Sequence, residues 1–561
     1  MRHQSEKMKR TYLSIVLLML TLLTWAQQHV PDTLGLGVEA ETWFTRSDHT
    51  DKSGRVGLVF NHQRFDIYGS LTFDDPLHVE EGSVVHSVRG DSLWQQHYAM
   101  RREWGGNGYM GNVGMNFQLR PNHQIGVAYH LIHTPASDDH GGRTGSERMD
   151  ITWNNGNVMT HQVNAYYRGQ LQRTSIALDA EYYSHKQNVN MVIEEDAGDG
   201  MKVSSNNFRL KRSHVLALTL ALDHAWTHGS LDWGATYLHT RHFDHYQADL
   251  TQPMDRNRFI YHRFIPYVNH TLKMGSWQLA TGLQFDSERH EAFWLPALRL
   301  TRSLGEAEVS LDYQTSVHRP AYQWLTTHVV YQSRYDREKG YADLKAAYQH
   351  QLSVKGSWKF VGGSIGYEDL RDAVVQTADQ PTGSPTLTYW THANLHSLKS
   401  VFATVALSPV IGLWSPTLHV ELRRQWLTMH TDYGRQALHT PLLTAALTNA
   451  FHLGKGWQAE ANFHFRSKGD ARNVSYVKCS WTTDLSLSKS FLGDRLFVKV
   501  EGDDLLHGLR EATRLYDKHT MLLQDLKYNS RHVIVTLRYS FNMTHRPYRG
   551  HEAGQAEKGR F

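Results

Sequence analysis

Trp457-Gln-Ala-Glu-Ala-Asn-Phe-His-Phe-Arg466 places Trp457, Ala459, Ala461, Phe463 and Phe465 at alternate positions, with Gln458, Glu460, Asn462, His464 and Arg466 between them. Period two is the repeat of an extended chain, whose side chains leave opposite faces in turn. One face here is apolar and the other is charged or polar. The same division recurs upstream. In 308–317, Val309, Leu311, Tyr313, Thr315 and Val317 oppose Glu308, Ser310, Asp312, Gln314 and Ser316. In 175–182, Ile176, Leu178, Ala180 and Tyr182 oppose Ser175, Ala177, Asp179 and Glu181. Near the end, Val533, Val535, Leu537, Tyr539 and Phe541 oppose His532, Ile534, Thr536, Arg538 and Ser540. Strands with one lipid-facing and one wet face read this way.

A soluble antiparallel sheet also alternates, so the connections discriminate. Tight-turn sequences fall at 61–64, 121–124, 169–172, 228–229, 274–276, 305–306, 356–357, 409–413, 454–456 and 492–494. Between them lie longer polar segments, among them 74–108, 134–147, 184–211, 243–258, 319–346, 371–399, 468–478 and 504–530. The connections at 45–54 and 287–292 are shorter but occupy the same slots. Short turns alternating with long loops are the plan of an outer-membrane barrel, turns inside the periplasm and loops outside. With a first strand near 34–44 and a last at 531–541, the pattern predicts about twenty-two strands, a size associated with plugged transporters. The fold class is therefore all-β, a single transmembrane antiparallel β-barrel over about residues 30–545.

Composition agrees. The chain has 561 residues, 59 Lys+Arg against 55 Asp+Glu and a formal charge of +4, too even for a nucleic-acid protein. Mean hydropathy of −0.52 reflects a wet interior and polar loops rather than a soluble fold. Past the N-terminus no apolar run approaches the roughly twenty residues that a membrane helix needs. Cys479 is the single cysteine, so no internal disulfide is available. Arg2, Lys7, Lys9 and Arg10 precede the apolar stretch 13–23, and Thr24-Trp25-Ala26 ends it before Gln27. This reads as a secretory signal peptide over 1–26. Residues 546–561 form a polar tail, expected as a periplasmic extension.

The C-terminal strands carry a resemblance. Leu496-Phe-Val-Lys-Val-Glu-Gly-Asp-Asp504, Thr536-Leu-Arg-Tyr-Ser-Phe-Asn542, Tyr548-Arg-Gly and Gly554-Gln-Ala-Glu-Lys-Gly-Arg-Phe561 follow the ending of the outer-membrane β-barrel family related to TonB-dependent receptors. Phe65-Asp-Ile-Tyr-Gly-Ser-Leu71, Leu295-Pro-Ala-Leu-Arg-Leu300, His318-Arg-Pro-Ala-Tyr-Gln-Trp-Leu325 and Gly340-Tyr-Ala-Asp-Leu-Lys-Ala346 stand in family order. The likeness spans most of the mature chain. It implies a cell outer membrane location in a Gram-negative bacterium, with membrane lipid and the barrel-assembly machinery as partners. It also implies solute passage or capture at the cell surface. Tyr539 and Phe541 resemble the terminal assembly signal of such barrels. The sequence departs from the family in three ways. The first strand follows the signal peptide too closely for a plug or a carboxypeptidase-regulatory-like domain. No energy-coupling segment is visible in 27–33. Gly340-Tyr-Ala-Asp stands where the family prefers Asn-Pro. A substitute plug made of inward-folding loops, with 319–346 and 371–399 foremost, is one expectation. A structural or binding barrel closed by a separate plug or periplasmic partner is the alternative, and a membrane-embedded hydrolase a third.

No catalytic, cofactor or metal residue is assigned. Gly106-Asn-Gly108-Tyr-Met-Gly111 has the spacing of a dinucleotide fingerprint but lacks the strand-then-helix context, and reads as a loop-to-strand junction. His239, His242 and His245, and Asp138, Asp139 and His140, are the clusters with metal-ligand chemistry. Thirty-seven histidines throughout the chain make chance clustering the plainer reading. Glu194, Glu195 and Asp196 read as solvated loop acids rather than a general acid–base pair, and Cys479 has no motif around it. Trp226, Trp233, Trp277, Trp457, Trp481, Tyr539 and Phe541 lie near strand ends, as interfacial girdles do. Trp324, Tyr331 and Tyr335 lie in loops, where they could equally stack on a sugar or a haem-like ligand.

Overall fold

The computed structural model describes residues 36–47, 50–196, 202–381, 383–384, 386–543 and 549–561. The signal peptide expected at 1–26 lies outside them. Twenty-two antiparallel strands form a closed cylinder. Leu36–Arg46 pairs with Thr50–His62 on one side and with the last strand, His532–Phe541, on the other, and this second pairing shuts the wall. Closure leaves no unpaired strand edge, which a lipid environment requires because it offers no hydrogen-bond partners.

The alternation read from sequence is the alternation of the wall. Val309 and Leu311 are each 43% exposed on the outer surface, whereas Ser310 and Asp312 between them are buried against the interior. Leu178 and Tyr182 face out, and Asp179 and Glu181 face in. Trp233, Trp277, Trp457 and Trp481 are exposed on the outside, as a girdle requires. Phe541 differs: it is buried, with the Arg495 guanidinium 5.4 Å from its ring centroid.

Most turns sit where the sequence placed them. Gly305, at φ +64, supplies the left-handed conformation between Glu291–Leu304 and Ala307–His318. The turn expected at 356–357 is an exception. Gly356 and Ser357 continue the strand Ala347–Trp358, pairing with Gly363 and Gly362, and the chain reverses at Lys359 with φ +50. Gly356 is a strand residue here, and the left-handed turn position falls to Lys359.

A second correction is larger. The polar segment 184–211 is mostly wall. Thr174–Asp196 and Lys202–Trp226 remain paired out to Asp196↔Lys202, and Gly229–Gln247 likewise runs on through 243–247. Here the outer face is no longer uniformly apolar, and the alternating Val189, Met191 and Ile193 are apolar on the side that packs inward. Neighbouring loops join this extension. Leu77–Arg89 pairs with Leu93–Gly105, which pairs with Ser137–Gly145, which pairs with Arg148–Asn155 and so with the tall strand Thr174–Asp196. In the other direction Leu77–Arg89 pairs with Thr520–Tyr528, then Arg510–Tyr516, then Val474–Tyr476. The extracellular loops thus form one continuous collar.

Candidate functional site: the closed lumen and its outer lid

Loop 319–346 turns into the barrel. Arg319 anchors its start, donating to Glu288 at 2.9 Å and to Asp286 at 3.0 Å. The single-turn helix Tyr322–Leu325 then buries Tyr322 and Leu325 against Phe259, Tyr261, Leu344 and Val374 of the wall and loop. The inward fold expected of this loop is what the structure has.

The tail reverses its expected direction. Residues 549–561 climb into the lumen instead of extending into the periplasm. The His551 N–H donates to Asp179 at 3.0 Å and the Gly554 N–H to Glu181 at 2.9 Å. Lys558 reaches Glu181 at 2.7 Å. The Phe561 ring stacks on Tyr322, Tyr183 and His242 at 5.6, 5.9 and 5.4 Å. Composition had described this segment as polar; it is the charged residues that hold it inside. Arg560 bonds Glu288 at 2.9 Å and Glu557 at 3.1 Å, and Arg263 bonds Asp286 at 2.5 Å. With Arg319 this makes three guanidiniums against Asp286, Glu288 and Glu557, all but Arg263 among the most buried side chains present. Buried ions persist only when paired and hydrogen-bonded in this manner.

Above these segments the loops converge on one residue. Asp336 is buried at the hub. It accepts from Arg143 at 2.9 Å, from the Trp390 indole at 2.9 Å and from Ser333 at 2.9 Å, with His86 Nδ1 3.5 Å away. Collar, inward loop and the opposite wall therefore meet on one carboxylate. Burial opposes its ionisation, yet His86, Arg143 and the Trp390 N–H outweigh that and hold it below the ordinary 3.8. Glu195, expected as a solvated loop acid, is buried and accepts from the Arg334 N–H at 2.9 Å. It is a clamp on the lid, and its strand position explains why no acid–base pair forms with Glu194. The loop aromatics are engaged internally: Trp324 stacks on His392 at 4.2 Å, Tyr331 lies beneath Arg337 at 4.1 Å, and Tyr335 packs on Trp94 at 4.9 Å.

The histidine cluster separates. His242 faces the lumen, bonding Ser213 at 2.8 Å, while His239 on the other face stacks with His262 at 4.4 Å. Among the described residues no group of three ligating side chains could hold a metal. Asp139 instead accepts from the Gly105 N–H and Asn155. Gly106, at φ +131, links Leu93–Gly105 to the wall strand Gly108–Arg120, a loop-to-strand junction as read.

A 22-strand barrel wall in sequence and in space has a counterpart among known proteins. The profile of the outer membrane protein beta-barrel family matches residues 169–539. The chain belongs to that family. It is an outer-membrane β-barrel, located in the Gram-negative outer membrane. Solved structures share its fold at low identity. The siderophore receptor PirA from Pseudomonas aeruginosa superposes with a TM-score of 0.57 at 11% identity, covering 90% of this chain and 80% of that one. The outer membrane transporter YddB from Escherichia coli gives 0.57 at 10% identity, with the same coverage. The copper transporter OprC gives 0.61 at 10% identity, again covering 90% and 80%. No curated protein matches the sequence.

Proposed function

We propose that this barrel passes or captures a solute at the cell surface, and that its own loop and tail close the lumen between solute events. The observation that carries the reading is the buried network of Arg560, Glu557, Glu288 and Tyr322, where the inward loop and the tail meet inside the wall. A barrel of this width is a channel unless something fills it, and these segments occupy the place of a filling. Solved structures of the same fold include a siderophore receptor, an outer membrane transporter and a copper transporter, and these supply the class of activity.

The tail touches one arc of the wall, from Gln162 and Asp179 to Thr240 and Glu288. That asymmetry leaves a place for a separate plug or periplasmic partner on the opposite arc, which co-purification from native membrane would reveal.

The deciding experiment is reconstitution in planar bilayers. The full chain is expected to show little steady conductance, and a variant ending at residue 548 a large one. Steady, wide-open conductance from the full chain would remove the closure, and unchanged silence after truncation would remove the tail from it.

A further inference from the structure

We propose that the cavity beneath the lid, at Lys211, binds a small amphipathic anion: one carboxylate on a compact apolar or aromatic body. This deepens the solute-handling reading and rests on it for its purpose, though not for its chemistry.

The cavity has a volume of about 210 Å³ and is lined by Trp153, Val189, Met191, Tyr246 and Val330 on its apolar side, and by Gln187, Asn207, Arg209, Lys211 and Gln332 on its polar side. The apolar side continues a buried cluster of Met149, Ile151 and Ile193. It is therefore a fixed wall, not a surface that collapses when empty. Two cations project into the same space from alternate positions of Lys202–Trp226, and they differ in one respect. Arg209 is satisfied, its guanidinium forked onto Asp244 at 2.9 and 2.7 Å. Lys211 is not. Its Nζ has Gln323 Oε1 at 3.4 Å, and no carboxylate of the described residues forms an ion pair with it.

The other charges facing this space are few. Asp244 is taken by Arg209, Glu338 accepts weakly from Gln332 at 3.4 Å, and Arg337 lies over the Tyr331 ring. The charges acting on Lys211 are Arg209, Asp244 and Glu338, and with Asp244 forked by Arg209 the ammonium has no ion pair of its own beside an apolar wall. An ammonium half-withdrawn from water without a counter-ion is poorly placed unless an anion arrives. Gln187 and Gln332 add amide donors that suit carboxylate oxygens, while Trp153 and Tyr246 offer ring faces to the ligand's body. Inorganic ions would satisfy the charge and leave the apolar half of the cavity unused, so the cavity favours an organic anion.

Access is controlled by the lid. Val330 and Gln332, which roof the cavity, belong to the inward loop that Asp336 pins a few residues further on. Binding therefore couples to opening of that hub.

Calorimetric titration of the full chain in detergent tests the site, with benzoate and phenylacetate against benzyl alcohol and inorganic phosphate. The carboxylates are expected to saturate one site, the alcohol and phosphate to bind at least tenfold more weakly. Lys211→Met should lose carboxylate affinity at least tenfold, and Lys211→Arg should keep most of it. Heat-modifiable gel mobility confirms that each variant is a folded barrel. No saturable carboxylate binding, or equal binding by wild type and Lys211→Met, overturns the inference. Uptake into liposomes is a separate measurement. Lys211-dependent binding without uptake keeps the site and discards solute passage, while uptake without saturable binding does the reverse.

Discussion

The backbone N–H of Tyr322 donates to the carbonyl of Arg560 at 2.8 Å. One residue entered the lumen from the extracellular loop, the other from the tail. Their side chains are joined too, since the Arg560 guanidinium lies 4.4 Å from the Tyr322 ring centroid and both engage Glu557. Together with the Phe561 ring stacked on Tyr322, this contact ties the loop and the tail into one body, so a change at either end should be felt at the other.

Arg560→Ala tests that linkage. It leaves Glu288 with Arg319 alone and Glu557 with a distant Arg263 at 3.9 Å. Removing one partner from a buried ionic group costs roughly 3–5 kcal/mol. The wall does not depend on this network, so the loss should appear locally. Hydrogen exchange is expected to accelerate in 549–561 and in 319–346 together, with the strands unchanged. Acceleration in the tail alone would mean that loop and tail are independent closures.

Asp336→Asn addresses the lid. The amide keeps the shape but lacks the charge that draws Arg143 and the Trp390 N–H. Hydrogen bonds to a charged group contribute about 1.5–3 kcal/mol each. Limited trypsin digestion should cut at Arg334 or Arg337 at least tenfold faster in the variant, and cleavage at the wild-type rate would remove Asp336 as the hub.

The barrel was legible in the sequence because lipid imposes a rule on every second residue of a spanning strand. Val533, Val535 and Leu537 announce themselves, and so do Leu311 and Phe463. Above the membrane that rule lapses, which is why 184–196 read as loop while forming strand out to Asp196. The inward fold of 319–346 was legible from its length, but length raised the same expectation for 371–399, where the chain is paired strand out to Asp379 and again from Thr388. The direction of the tail was not legible. Glu557, Lys558 and Arg560 are charged, and charge in a tail reads as solvated; only the placement of Glu181 on one strand, and of the directly paired Arg263 and Glu288 on two others, turns those charges into anchors. Lys211 was hidden for the same reason, since a missing counter-ion is a spatial fact.

The lid should also respond to pH. Burial holds the His86 imidazole below its ordinary 6.5, against the pull of Asp336 and with the Arg143 charge adding to the depression. In the closed lid His86 is thus neutral at neutral pH, accepting or donating at Thr388 Oγ1 across 3.3 Å. An opened lid exposes an imidazole that protonates normally. The open form therefore binds the proton first, and closure is favoured above 6.5 and weakens as pH falls below it. Exchange protection in 77–105 and 319–346 should fall by up to about tenfold per pH unit below about 6.5. His86→Phe should flatten that slope, and a slope unaltered by the substitution would assign it to another group.

Two neighbouring positions distinguish the faces of the wall. Leu311 points into lipid, paired laterally with Leu300 and Val354, while Asp312 beside it points inward to Arg299 and to Lys355 at 3.7 Å. Leu311→Arg places a charge in hydrocarbon and is expected to cost about 2–4 kcal/mol of barrel stability near the bilayer midplane. Asp312→Asn removes a lumen charge whose partner Arg299 is half exposed to water, so its cost should stay near about 1 kcal/mol or below. Urea unfolding of liposome-inserted protein, followed by tryptophan emission, measures both. Equal stability losses, or a larger one for Asp312→Asn, would invert the assignment of outside and inside on which the whole cylinder rests.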